Sequence, residues 1–151
     1  MATPFPNNQR DHALDRPLPH SAASERAILG AIILDNALIS QAIELLRPDD
    51  FYIPAHRQVF VSMVNLFERG SEINPILIGE ELRREGLVES IGGVTFITSL
   101  LHGLPHLSSL AQFTKIVSGK ALLRNLVRAS NKTISEALDE EDEPEIILDH
   151  A

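Results

Sequence analysis

Apolar residues first recur at helical spacing where Ile28, Leu29, Ile32 and Ile33 follow at i, i+1, i+4 and i+5. This predicts a helix from Ala22 to Leu34, started by a Ser21 cap. A second helix is expected after Asn36 as cap, with Leu38, Ile39, Ala42, Ile43 and Leu46 on one face. It must stop near Arg47, because Pro48 disfavours helical geometry in the residue before it. The linker from Pro48 to Ile53 carries Phe51 and Tyr52 into an expected buried corner. Pro54 then suits a first turn, and Val59, Phe60, Met63, Val64 and Phe67 repeat at helical spacing until Gly70 supplies a left-handed stop. Asn74-Pro75 repeats the cap-then-proline arrangement for a short helix with Leu77, Ile78 and Leu82, ending at Gly86. Ser90 is expected to cap a further helix through Ile91, Val94, Ile97, Leu100 and Leu101, before the break at Gly103-Leu104-Pro105. The β-branched run around Val94 favours a strand locally, but no neighbouring strand is available to pair with it.

After Pro105 the pattern changes. From about Ser109 to Leu138 there is no proline, and Ile116, Leu122, Leu123, Leu126, Val127 and Ile134 form one broad apolar stripe. A helix of this length extends about 45 Å at 1.5 Å per residue, well beyond the usual globular helix of roughly 11 to 12 residues. Such a helix projects past a head of short helices and needs a partner for its apolar face, which predicts self-association. Asp139 to Glu143 and Pro144 read as an acidic turn into a second helix that breaks off near Ala151 after about two turns. The expected fold is therefore all-α, a globular head of short helices followed by a helical hairpin whose second helix is truncated. Residues 1–19, with prolines at 4, 6, 17 and 19, are expected to be a flexible leader. Residues 20–105 form the helical head, and 106–151 the long hairpin helix, the acidic turn and the start of the second hairpin helix.

Composition narrows the chemistry. The 151 residues suit one domain. They contain no cysteine, which excludes thiolate catalysis, iron–sulfur clusters and cysteine-ligated zinc. No apolar run approaches the ~20 residues of a membrane span, so a cytoplasmic protein without a membrane partner is expected. The net charge of −8 is concentrated in Asp139, Glu140, Glu141, Asp142, Glu143, Glu145 and Asp149. The remaining body is nearly neutral and offers no overall electrostatic reason to bind nucleic acid.

Catalytic, cofactor and metal sites are not expected. Of the histidines at 12, 20, 56, 102, 106 and 150, only His102 and His106 have i, i+4 spacing, and Gly103 and Pro105 interrupt the helix that would align them. No phosphate-cradling glycine loop and no nucleophile elbow occurs. The pairs Asp49-Asp50 and Glu80-Glu81 read as solvent-exposed, where carboxylates make poor general acids. Lys120, Arg124, Arg128 and Lys132 recur every four residues as a basic edge. A solvated face, or one paired with the acids of 140–149, is the favoured reading over a phosphate-contacting edge. A helix-turn-helix within 74–101 is strongly disfavoured, because 91–101 holds no Arg, Lys, Asn or Gln to read bases.

Five blocks carry a family likeness: Ser24-Glu25-Arg26-Ala27-Ile28-Leu29-Gly30-Ala31-Ile32-Ile33-Leu34; Pro48-Asp49-Asp50-Phe51-Tyr52; Ala55-His56-Arg57-Gln58-Val59-Phe60; Glu81-Leu82 with Ile91-Gly92-Gly93; and Lys120-Ala121-Leu122-Leu123-Arg124. In this order the chain resembles the N-terminal domain of bacterial replicative DNA helicases, the DnaB family. The resemblance implies a non-catalytic domain followed, in the parent, by a linker helix and a RecA-like ATPase domain that uses ATP and Mg. It implies a collar around a hexamer built as a trimer of dimers, docking of primase, and contact with DNA through the parent helicase. By position, it places Leu122, Leu123, Leu126, Val127 and Ile134 on the hairpin helix that packs and pairs, and implies that Phe51, Tyr52, Val59 and Phe60 stabilise the head. A freestanding adaptor that binds a helicase or primase in trans is the alternative. Two residues depart from the family pattern. Ser109 replaces a usual capping Asn, and Gly119 replaces a usual charged helix former, at a cost of about 1 kcal/mol and with an expected kink.

Overall fold

The computed structural model describes residues 16–104 and 109–151, and within them every regular element is helical. The helices are α1 (Ala22–Leu34), α2 (Leu38–Leu45), a 3-10 turn (Pro48–Asp50), α3 (Pro54–Glu68), α4 (Pro75–Arg84), α5 (Gly93–Ser99), α6 (Leu110–Asp139) and α7 (Pro144–His150). The expected leader falls mostly outside the described residues, as does His106 of the His102/His106 pair.

Local chemistry sets most boundaries. The Ser21 hydroxyl accepts from the Ser24 amide at the start of α1, and the Asn74 side chain accepts from Leu77 N at the start of α4, each satisfying an otherwise orphaned donor. Gly70 and Gly86, both at φ +68°, follow the last turns of α3 and α4.

Three expectations about helix starts are corrected. Asn36 does not cap α2. Its Nδ2 donates to the Ile32 carbonyl at the end of α1 and to the Ile73 carbonyl, while its Oδ1 accepts from Ile73 N at 2.8 Å, so it ties the α1–α2 turn to the strap before α4. Ser90 does not cap α5 either. Its hydroxyl donates to Leu87 O, and α5 starts only after Gly92, whose φ of +101° re-aims the chain. Ser109 stands at the α6 cap position with extended backbone but makes no side-chain capping bond. Gly119 lies within α6, whose helix is continuous over 30 residues.

The head core gathers Ile28, Leu29 and Ile32 from α1, Ile39 from α2, Phe51 from the corner, Val59, Phe60 and Met63 from α3, Ile78 and Leu82 from α4 and Ile97 from α5. Phe51 and Phe60 pack with ring centroids 4.8 Å apart, an offset geometry that favours aromatic pairs. Gly30 lets α1 pass close to the end of α5, since a Cβ there would lie 2.4 Å from the Leu100 carbonyl oxygen. Against this head α6 lays one edge, with Leu110, Val117 and Ala121 buried.

Candidate assembly surface and the corner that orients it

The corner from Pro48 to Ile53, a 3-10 turn and the residues after it, leaves the Tyr52 and Ile53 amides and the Asp50 and Phe51 carbonyls to be met by charged side chains from three helices. Glu25 of α1, only 1% exposed, accepts from Tyr52 N with Oε2 (3.1 Å) and from Ile53 N with Oε1 (3.2 Å). Its Oε1 also accepts from His56 Nδ1 of α3 at 3.0 Å, and the His56 ring stacks on Phe96, centroid to centroid 5.9 Å. Arg57 donates through Nη2 to Phe51 O. Arg124 of α6 donates to Asp50 O (2.7 Å) and to Pro19 O (2.9 Å), with its guanidinium carbon 5.3 Å from the Tyr52 ring centre. The His20 ring stacks on the same tyrosine at 4.3 Å.

Burial pushes the Glu25 carboxyl up. Hydrogen bonds from His56, Tyr52 N and Ile53 N outweigh that and hold it below the ordinary carboxylate value. Desolvation lowers the Arg124 guanidinium, partly offset by Glu25 and Asp50, yet an arginine stays charged in any such setting.

Arg124 therefore leaves the basic edge. At 2% exposure it is spent on backbone carbonyls, and its neighbours Arg128 and Lys132 are exposed while Lys120 is half-buried. Lys132 pairs with Glu136 on its own helix, at 3.8 Å, rather than with the acidic turn. The expected exposure of Glu80-Glu81 is also corrected for Glu81. Its carboxylate is buried and paired with Arg69 and, at 3.7 Å, with Arg84.

The apolar stripe of α6 divides. The residues that meet the head, Leu110, Thr114, Val117, Ala121 and Arg124, follow one edge, and its next positions, Arg128, Asn131, Ser135 and Leu138, are exposed. At 100° per residue, Ile116, Leu123, Val127 and Ile134 lie roughly 120° from that edge. Leu122 and Leu126 lie on the other flank, in line with Thr133 and Ala137. Those last two line an open cleft of about 550 Å³ between α6 and α7, together with the acidic turn, Ile147 and Leu148. Leu122 is 69% and Leu126 62% exposed, and Ile116, Leu123, Ile134 and Leu138 are also exposed. Val127 is half-buried. These side chains do not form the core of this chain.

Sequence reasoning missed Glu25 and His56 as a pair, although the signal was present. Glu25, Ile28, Leu29 and Ile32 stand at i, i+3, i+4 and i+7, and so do His56, Val59, Phe60 and Met63. Each charged group is thus in phase with a buried face. Among the described residues no group of three His, Asp or Glu could hold a metal, and no helix is long and apolar enough to cross a membrane.

The family described as the DnaB-like helicase N terminal domain matches residues 17–119. The replicative DNA helicase DnaB of Geobacillus stearothermophilus is 34% identical over 133 residues, 88% of this chain and 29% of the relative. The replicative DNA helicase DnaC of Bacillus subtilis (strain 168) is 33% identical over 137 residues, 91% of this chain and 30% of the relative. The chain spans under a third of the length of these curated relatives. The crystal structure of the N-terminal domain of DnaB helicase from Mycobacterium tuberculosis matches with a TM-score of 0.82 at 32% identity, over 88% of this chain and 94% of that one. The N-terminal domain of DnaB helicase from Helicobacter pylori, described with its interactions with primase, shares the fold at a TM-score of 0.68 and 18% identity, over 88% of this chain and 98% of that one. The match takes in both the Glu25–His56 head and the start of the long helix, and the chain belongs to the family of DnaB-like helicase N-terminal domains.

Proposed function

We propose that this chain is the non-catalytic N-terminal collar domain of a hexameric, ATP-dependent replicative DNA helicase, where it pairs subunits and docks primase. The observation that carries the reading is the outer half of α6, which leaves the head and presents Leu122, Leu123, Leu126 and Ile134 to solvent. A large aliphatic side chain contributes about 1.5 to 3 kcal/mol when fully buried, so a row of them on a projecting helix favours a helical partner. The partner in this reading is α6–α7 of a second copy, giving dimers that close three by three into the hexamer. Hydrolysis of ATP with Mg, translocation and DNA contact belong to other parts of the parent. A cytoplasmic setting and the division into leader, head and hairpin are part of the same reading. Docking of primase rests on family membership and on the Helicobacter pylori relative described with its primase interactions.

Sedimentation velocity across a concentration series tests the pairing. A concentration-dependent dimer is expected, and the double substitution Leu123→Asp with Val127→Asp should return it to monomer with the helical spectrum intact. A chain that sediments as a monomer at every concentration contradicts the pairing role. Titration with primase, read by calorimetry, tests the docking role separately.

A further inference from the structure

The direction in which α6 leaves the head is set at its last buried residue. Leu110, Thr114, Val117 and Ala121 meet the head through apolar or small side chains, and the series ends at Arg124. From there the helix runs about 22 Å to Asp139 with no buried residue. A guanidinium holds it through hydrogen bonds to Pro19 O and Asp50 O, which water can replace one for one.

What Arg124 grips is itself assembled from separate parts. The Asp50 carbonyl belongs to the corner whose Tyr52 and Ile53 amides are clamped by Glu25 and whose Phe51 carbonyl is clamped by Arg57. The Pro19 carbonyl belongs to the segment entering α1, fixed by the His20 ring on Tyr52 and by His20 Nδ1 beside Leu18 O at 2.8 Å. Tyr52 lies between the two, with His20 stacked on its ring and the guanidinium 5.3 Å from its centre. The rigid side of the contact is the Glu25–His56 pair inside the head. The other side is the segment at 18–20, half-buried and without regular structure.

We propose that Arg124, with the Tyr52 corner and the Pro19 carbonyl it holds, is a releasable latch that sets the angle between the head and the outer half of α6. Closed, it gives one direction to the helix. Opened by loss of both guanidinium bonds, to Pro19 O and to Asp50 O, it leaves α6 attached through Leu110 to Ala121, with its outer half no longer tied to the corner. A swing of roughly 20°, the ordinary scatter between packed helices, carries position 135 through about 6 Å on a lever of about 16 Å. The latch is a property of a single chain and acts whether or not α6 pairs with a second copy.

The chain has no cysteine, so Glu68→Cys on α3 and Ser135→Cys on α6, both exposed positions, accept two nitroxide labels. Pulsed dipolar spectroscopy, with labelled chains diluted in unlabelled ones, then reads the distance within one chain independently of pairing. The parent should give a single narrow distribution. Arg124→Met should broaden or shift it by several ångströms, Tyr52→Leu should act in the same direction, and Arg128→Met, one turn further out, should leave it unchanged. If Arg124→Met does not fold, as judged by its thermal melt, Arg124→Lys takes its place and is expected to broaden the distribution by a smaller amount. A folded Arg124 variant with the parental distribution overturns the latch. So does a parent that is already broad, or an Arg128→Met that broadens as much as Arg124→Met.

Discussion

Glu25 and His56 stand 31 residues apart in the chain and share a 3.0 Å hydrogen bond inside the head. Through that bond α1 and α3 are locked together, and the same carboxylate fixes Tyr52 and Ile53 by their amides. The pair thus holds the corner together, with three donors meeting the one carboxylate.

Replacing Glu25 by Gln should therefore destabilise the domain by about 2 to 4 kcal/mol at neutral pH, since an amide cannot accept all three bonds and its NH₂ must face a donor. The Glu25 carboxyl is held below its ordinary value in the folded state. Its stabilising contribution is thus present above the unfolded-state value near pH 4.3 and fades as pH falls through the lower folded-state value. Urea unfolding at neutral and acid pH should show the parent and Glu25→Gln converging on acidification. A gap that stays constant down to acid unfolding would falsify this linkage.

Two helical glycines should respond to alanine with opposite signs. At Gly30 the added methyl meets the Leu100 carbonyl oxygen at 2.4 Å, a backbone atom that cannot step aside, so a net loss of about 1 to 3 kcal/mol is expected from overpacking. At Gly119 nothing lies within 4 Å of the added carbon, and Ala gains about 0.8 to 1 kcal/mol of helix propensity. Thermal melts of the two variants decide it, with Gly119→Ala raising the midpoint by roughly 2 to 4 °C.

The Glu81 cluster should depend on its charge partners. Arg69→Met leaves the buried carboxylate with only Arg84, itself exposed, and should cost about 1 to 2 kcal/mol by leaving a charge undercompensated. Denaturant midpoints read this, and full recovery in the double variant Arg69→Met, Glu81→Leu would show that the loss comes from the stranded carboxylate.

The basic edge makes a further check on the assembly reading. With Arg124 buried, Lys120, Arg128 and Lys132 remain, and three charges on an acidic chain should give no measurable affinity for DNA at physiological salt. Fluorescence anisotropy with single- and double-stranded oligonucleotides tests this. Micromolar binding abolished by Arg128→Glu would instead make α6 a nucleic-acid surface.

The start and stop signals of the head were legible because they act over a few residues. Ser21, Asn74, Gly70 and Gly86 do their work on amides and carbonyls one turn away, so sequence spacing contains the whole interaction. The same holds for the length of α6, where an unbroken run without proline is itself the cause of an unbroken helix. Asn36 misled because it has a choice. Its side chain suits a cap, but the strap at Ile73, brought alongside by α3, offers both a donor and an acceptor, and two tertiary bonds outweigh one local one.

By itself, then, the sequence determined an all-α head of short helices and a long helix with more apolar surface than one chain covers, because helical period, caps and breakers are local physics. Only the tertiary structure decided which charges are surface and which are mortar. Arg124 and Lys132 look alike along the helix, eight residues apart in one ridge. The first meets the carbonyls of Pro19 and Asp50 because the head folds up beside it. The second lies past the head's edge and pairs with Glu136 on its own helix. That difference depends on where the head ends along α6, a distance that no pattern within the helix encodes.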